Sequence, residues 1–260
     1  MNIPVTVITG ASAGIGWELA KVFARNGHRL ALVARRKDRL DALADEIAAS
    51  GQPRPDVIAL DLATKESPDA LARELAARNL DVEILVNNAG FGLIGGAAEL
   101  DRGEQLEMID LNVRALTALS LAFIEQLARH KGGILNIASL ASFLPAPGMA
   151  VYYATKAYVL SFSEGLHQEL RVKGVRVTAL CPGPVPTEFQ ARAGLEPSQR
   201  HGLLELSASE IAEAGYRGFA AGKRLIVPGR VNKLVPFFLR FAPRGVVVAL
   251  SDSRQKNRRN

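Results

Sequence analysis

Seven short aliphatic or β-branched runs, VTVIT, RLALVA, DVIAL, EILVNN, GILNIAS, VRVTAL and RLIVPG, recur along the chain, with longer segments of a different rhythm between them. In those segments, WELAKVFARNG and SPDALARELAARN among them, apolar residues return every three or four positions and Gly27 or Asn79 stands near the end, as in amphipathic helices. The short runs are apolar on both faces, so each needs a cover on both sides of the sheet it joins. Strands alternating with helices in this way connect through right-handed crossovers, which predicts an α/β fold with a parallel sheet of about seven strands and helices on each face. In such a sheet a ligand sits beyond the carboxyl ends of the strands, near the switch in strand order.

No linker, internal repeat or low-complexity stretch divides the chain, and single α/β domains reach 260 residues, so one domain is expected over 1–250 with a basic tail at 251–260. A hydrophobic content of 48% supplies a core, and the one cysteine, Cys181, excludes a disulfide framework within the chain. A reducing, cytoplasmic location is therefore expected. The start, MNIPVTVITG, enters a strand without a charged segment and a long apolar one, so no leader peptide is expected. No apolar run of about 18 residues suggests a membrane span. Of the net charge of +6, the tail SDSRQKNRRN contributes half through Arg254, Lys256, Arg258 and Arg259 against Asp252. The rest is interleaved with acids, as in KDRLDALADEI, and no recognition motif accompanies it, so nucleic acid is not an expected partner.

The chemically suggestive motifs follow strand ends or open the next helix. After VTVIT come Thr9, Gly10, Ala11, Ser12, Ala13, Gly14, Ile15 and Gly16. The three glycines permit a tight turn and close backbone approach, while a helix starting near Ile15 aims free N–H groups at a pyrophosphate; alone, the loop reads equally as an ordinary strand-to-helix turn. Downstream, Tyr152 and Lys156 stand four apart in VYYATKAYVLSFSEGLHQEL, whose composition suits a helix, so their side chains share a face. An ammonium beside a phenol stabilises the phenolate and lowers its pKa from about 10 toward neutrality, which lets Tyr152 exchange a proton. Tyr153 is three residues from Lys156 and breaks this register. His28, His130, His167 and His201 are dispersed and Cys181 sits in a small apolar context, so neither a metal nor a hydrolytic nucleophile is expected.

Five motifs in order, TGASAGIG, Asn87-Asn88-Ala89-Gly90, Asn112, Ser139 thirteen residues before Tyr152 with Lys156, and Cys181-Pro182-Gly183 followed by Thr187, resemble the short-chain dehydrogenase/reductase family in its single-domain form. The resemblance runs through at least residues 5 to 190. It implies a Rossmann-type doubly wound sheet and hydride transfer between a nicotinamide cofactor and a carbonyl or alcohol. By that likeness Tyr152 is the acid and Ser139 the donor to the substrate oxygen. Lys156 would lower the Tyr152 pKa and bind the nicotinamide ribose, and Asn112 would bend its helix and hold a water leading from Lys156 to solvent. Singly, Ser139 also reads as a helix cap, Asn112 as a polar helix residue, and Tyr152 with Lys156 as a surface pair; it is the joint pattern that points to catalysis.

The loop spacing T-G-x-x-x-G-x-G is the family's own, placing Gly10, Ser12, Ala13, Gly14, Ile15 and Gly16 at the cofactor. Where an NAD-preferring protein would place an acid for the ribose diol, at the end of LALVARRK, this chain has Ala34 followed by Arg35, Arg36 and Lys37. A 2′-phosphate would meet cations and no carboxylate there, which predicts NADP(H). The other reading is a solvated helix start, and Ala13 lacks the extra basic residue of many NADP-using relatives. Asp61 and Leu62 resemble the adenine-contacting pair, with a bare loop acid as the alternative. The resemblance also places Asn88, Ala89 and Gly90 on the adenosine side, and Pro182, Gly183, Val185 and Thr187 around the nicotinamide. Pro186 is less usual in that last loop.

Residues 188–207 occupy the place of the family's substrate lid, and Leu195, Leu203, Leu204 and Leu206 suggest an apolar cover or a helix packing on its own core. A small hydrophobic carbonyl or alcohol substrate is expected, a hydrophobic ketone or one of 3-oxoacyl type. The extension 228–250 gathers Phe237, Phe238 and Phe241 beside Lys233, Arg240 and Arg244; packing on a neighbour or second subunit is the expectation, and contact with a membrane surface through 233–250 the alternative. Its V-P-G strand ending and the Pro182–Val185 loop look most like the branch containing DltE-type reductases and their steroid- and 3-ketoacyl-reducing relatives. Segments near 104–130 and 151–173 resemble helices that pair in a homodimer or homotetramer. A cofactor-sensing regulator with weak catalysis and a membrane-associated lipid or steroid ketone reductase are the alternative functions.

Overall fold

The structure, a computed structural model, describes residues 2–193 and 204–248. Seven parallel strands form one sheet: β1 (Ile3–Thr9), β2 (Leu30–Ala34), β3 (Asp56–Ala59), β4 (Leu80–Asn87), β5 (Gly133–Ile137), β6 (Arg176–Leu180) and β7 (Leu225–Ile226), in the order β3-β2-β1-β4-β5-β6-β7. Each run singled out in the sequence contributes to it, so the expected doubly wound α/β sheet is what forms. The chain winds outward from β1 to β3, then returns to place β4 on the other side of β1. The carboxyl ends of β1 and β4 therefore diverge at a switch point, where a ligand crevice opens.

Alternation along the strands sends neighbouring residues to opposite layers. Leu30, Leu32 and Ala34 pack with helices α1 (Gly14–Arg25), α2 (Lys37–Ala49) and α9 (Ala208–Ala220), while Ala31 and Val33 face the layer that holds α3 (Ser67–Ala77), α5 (Leu116–Ala122), α6 (Ile124–Arg129) and α7 (Ala150–Leu170). In β4 the register jumps at Glu83, because Val5 pairs with Val82 but Thr6 with Ile84. That bulge shifts the alternation, so Val82 and Leu85 point into the same layer although they are three apart.

The segment 104–130, expected as one long helix, is broken. α4 (Arg102–Ile109) passes into a π-helical turn over Asp110–Ala115, then α5, and a kink at Phe123 precedes α6. The second expected helix is continuous as α7 and tightens into a 3₁₀ turn at Arg171–Lys173. A buried polar relay fixes both to the sheet: Asn87 donates to Ser120 at 3.0 Å and to Asn136 at 2.9 Å, and Asn136 donates to Ser163 at 2.9 Å.

Two short helices follow the sheet edge, α8 (Glu188–Arg192) after β6 and α10 (Leu234–Leu239) after β7. Within one chain Phe237, Phe238 and Phe241 are 55%, 63% and 75% exposed, although Phe238 also lines the cavity over the strand ends. α10 is short and meets the core through Val235, so Phe237 and the following Phe241 are left outward. Leu195 and Leu203 of the expected lid, and the basic tail at 251–260, lie outside the described residues. Among the described residues, no helix is long and apolar enough to cross a membrane.

Candidate active site

Thr9 closes the switch point. Its hydroxyl donates to the Val86 carbonyl at 3.2 Å and accepts from the amides of Asn88 and Ala89, both at 3.0 Å, which ties the end of β1 to the end of β4. Asn88 completes the tie by donating to the carbonyls of Thr9 and Gly10, each at 3.0 Å. The chain can turn here because Gly10 adopts φ of 65°, and because a Cβ on Gly16 would lie 2.4 Å from the Gly10 carbonyl and the Asn88 amide nitrogen. α1 then starts with neither a side-chain cap nor an acid in its first turn. Its leading amides suit an anion such as a pyrophosphate.

A cavity of about 970 Å³ opens over these strand ends. Gly10, Ser12, Ala13, Gly14, Ile15, Arg35, Arg36, Asp61, Leu62, Asn88, Ala89, Gly90, Ser139, Tyr152, Lys156, Pro182, Gly183, Val185 and Thr187 all line it, so the residues singled out in the sequence converge on one place. Gly16 and Asn112 do not line it and stand behind the wall. Asn112 sits in the π-helical turn, donates to the Phe91 carbonyl at 2.9 Å and to the Thr155 hydroxyl at 3.1 Å, and accepts from the Phe91 amide at 3.1 Å. It thus clamps the Gly90–Phe91 backbone to α7.

Ser139 ends the segment after β5; its hydroxyl caps the following turn by accepting from the Ala141 amide at 3.1 Å and also bonds the Tyr152 phenol. Lys156 reaches under the cavity, donates to the Ile137 carbonyl at 2.8 Å, and places its Nζ 5.9 Å from the Tyr152 ring centre. Both residues are buried. The expected lowering of the Tyr152 pKa is reversed: burial pushes the phenol up to about 12, with the Ser139 hydrogen bond opposing it, and burial brings Lys156 down to about 8. Desolvation outweighs the ammonium because Nζ spends its short contact on a backbone carbonyl. Burial likewise pushes the Cys181 thiol up to about 12, in keeping with a core thiol. Tyr153 packs edge-on to Tyr152, the ring centres 6.0 Å apart.

The cationic corner also differs from expectation. Arg35 and Arg36 do line the cavity, but carboxylates accompany them: Asp61 and Glu107 lie 3.7 and 3.9 Å from Arg35, and Glu188 accepts from Arg36 at 2.8 Å. The sequence reading overlooked Glu188 because the acid lies far along the chain, although it directly follows Thr187. It also overlooked Phe189, whose ring centre is 5.5 Å from that of Tyr152, and Arg192, whose guanidinium stacks 4.0 Å from the Phe91 ring centre. Asn232 joins the two parts of the cover by donating to the carbonyls of Leu204 at 3.1 Å and Pro228 at 2.9 Å. Among the described residues no cluster of His, Cys, Asp and Glu could hold a metal ion.

A family profile described as short chain dehydrogenase matches residues 4–197. A sulfoacetaldehyde reductase of Chromohalobacter salexigens is 38% identical over 214 residues, covering 79% of this chain and 84% of the relative. A short-chain dehydrogenase from Sphingobium yanoikuyae, solved in complex with NADPH, superposes with a TM-score of 0.82 at 35% identity, covering 94% of this chain and 95% of its own. A bulky-bulky ketone specific alcohol dehydrogenase from Comamonas testosteroni superposes with a TM-score of 0.76 at 32% identity, covering 93% and 94%.

Proposed function

The chain belongs to the short-chain dehydrogenase/reductase family, and we propose that within it the protein uses NADPH to reduce a large hydrophobic ketone or 3-oxoacyl-type carbonyl, with Tyr152 as proton donor. As a family member it is a nicotinamide-dependent oxidoreductase that interconverts an alcohol and a carbonyl. The finer reading is carried by the position of Tyr152, a buried phenol bonded to Ser139 on a largely apolar cavity that extends to the glycine loop and Arg36. A relative solved with NADPH and another described as specific for bulky-bulky ketones support the cofactor and the size of the substrate. The DltE-type branch remains an expectation from the sequence.

NADPH, when bound, supplies the hydride to the carbonyl carbon. The chain provides the rest. The uncapped start of α1 and the bare backbone of the glycine loop would hold the pyrophosphate, and Arg35 with Arg36 the 2′-phosphate. Ser139 donates a hydrogen bond to the substrate oxygen as negative charge develops there, and Tyr152 transfers its proton to that oxygen. The Tyr152 oxygen is left as a phenolate, which Lys156 stabilises from its position beneath the ring. Asn112 acts through position, holding Gly90, Phe91 and Thr155 around Lys156. Phe91, Leu144, Met149, Phe189 and Leu204 offer the apolar wall for the substrate body.

A panel of ketones and aldehydes scored by loss of NADPH absorbance tests the reaction. With the best substrate, Tyr152→Phe should lower turnover by about 10²–10⁴-fold, while calorimetry finds NADPH affinity near wild type, since only the hydroxyl is removed. A Phe variant that turns over well would move the acid elsewhere, with Tyr153 the next candidate.

A further inference from the structure

We propose that Glu188 is a built-in competitor for the 2′-phosphate subsite, a latch through which that phosphate controls the position of α8. The proposal rests on the NADPH reading above and adds to it a specificity-determining carboxylate contributed by α8.

The latch begins at Thr187, whose side chain packs on the glycine loop: a Cβ on Gly14 would lie 3.2 Å from its methyl carbon. The next residue, Glu188, opens α8 and reaches back to the start of α2. One of its oxygens accepts from Arg36 at 2.8 Å, and the other lies 3.7 Å from Arg39, which is itself stacked 5.3 Å from the Trp17 ring centre. The same Arg36 nitrogen lies 3.3 Å from the Ser12 hydroxyl and 3.4 Å from its carbonyl. Arg36, the guanidinium beside the glycine loop, is thus already paired with an anion, whereas the acids near Arg35 stand at 3.7 and 3.9 Å. One residue further on, Phe189 packs against the Tyr152 ring and Gly92. The Arg36 contact and the cover over the catalytic phenol therefore belong to consecutive residues of one helix.

A phosphate monoester carries close to two negative charges near neutral pH and makes stronger charge-assisted bonds than a carboxylate. It and Glu188 cannot both hold one guanidinium without like charges meeting within a few ångströms. Occupation of Arg36 by the phosphate consequently displaces Glu188, and with it the first turn of α8. A dinucleotide lacking the phosphate exerts no such force and leaves the latch closed over Tyr152. By linkage, whatever frees Glu188 from Arg36 strengthens phosphate binding by the same factor.

The test uses the intact protein with two small probes, adenosine 2′,5′-bisphosphate and 5′-AMP, which differ only in the 2′-phosphate. By calorimetry, Glu188→Gln should bind the bisphosphate about fivefold more tightly than wild type, with AMP affinity unchanged. In hydrogen exchange, the bisphosphate should speed exchange of the Gln190 and Ala193 amides in wild type, while AMP leaves it unaltered. In the structure those amides bond to the carbonyls of Thr187 and Phe189. Unchanged or weaker bisphosphate binding by Glu188→Gln would overturn the proposal, as would an equal gain for AMP or exchange that does not respond to the bisphosphate. Failure of the NADPH reading looks different: wild type and Glu188→Gln would both bind the two probes equally.

Discussion

Tyr152 and Lys156 are moved in opposite directions by the same cause. Burial disfavours the charged form of each, taking the phenol up to about 12 and the ammonium down to about 8. At neutral pH Tyr152 therefore holds the proton that reduction requires, and Lys156 carries a charge that the fold does not fully solvate. Lys156 destabilises the protein as a result. Between pH 8 and 10.5 the unfolded lysine still binds a proton that the folded one has released, so stability rises with pH through that window; below it the full penalty applies. Lys156→Met should accordingly raise stability at pH 7 by about 1–3 kcal/mol while abolishing activity, and its advantage over wild type should shrink by pH 10. Melting curves at the two pH values check this; a Met variant that melts lower at pH 7 would mean the Ile137 contact matters more than desolvation. The spacing Y-x-x-x-K placed both groups on one helix face, but not the sign of the shift, because desolvation depends on what residues distant in sequence pack around them.

α9 is the element whose start was most plainly encoded. Ser207 accepts from the Glu210 amide at 3.2 Å and Glu210 reaches back to the Ser207 amide at 2.9 Å, closing a capping box. Ser207→Ala should cost about 1 kcal/mol, read from the urea midpoint; no loss would show that packing against α1 alone sets this helix start. α10 is the opposite case. Its sequence concentrates phenylalanine, which suggests burial, yet Phe237 and the following Phe241 face outward. Phe241→Ser should change the stability of the isolated chain by less than about 0.5 kcal/mol. A larger loss that grows with protein concentration would show that another molecule covers this side. The breaks in the 104–130 segment were not legible either. A π-helical turn costs hydrogen-bond geometry, and it forms here because Asn112 gains three partners on Phe91 and Thr155, a gain that exists only once β4 and α7 lie beside it.

Across the assembled chain, the faces of α4, α5 and α7 leave Leu106, Ile109, Leu121 and Tyr158 exposed, and the homodimer or homotetramer expected from the sequence predicts that a second copy covers them. Leu121→Glu should shift sedimentation to the monomer with circular dichroism unchanged; a wild type that already sediments as a monomer would sink this reading. The order of elements and the parallel sheet were readable in the sequence itself, and the grouping of the glycine loop, Ser139, Tyr152 and Lys156 through its resemblance to the family. Hydrophobic periodicity is a local property, and a two-sided apolar strand between amphipathic helices has few ways to bury itself. What only the tertiary structure decided involves pairs distant along the chain. The Arg36–Glu188 contact spans 152 residues, and the Asn112–Thr155 contact spans 43. Neither leaves a periodic trace, because a single charge or amide acquires its partner from the crossing of helices and loops over the strand ends, and its energy from the burial found there.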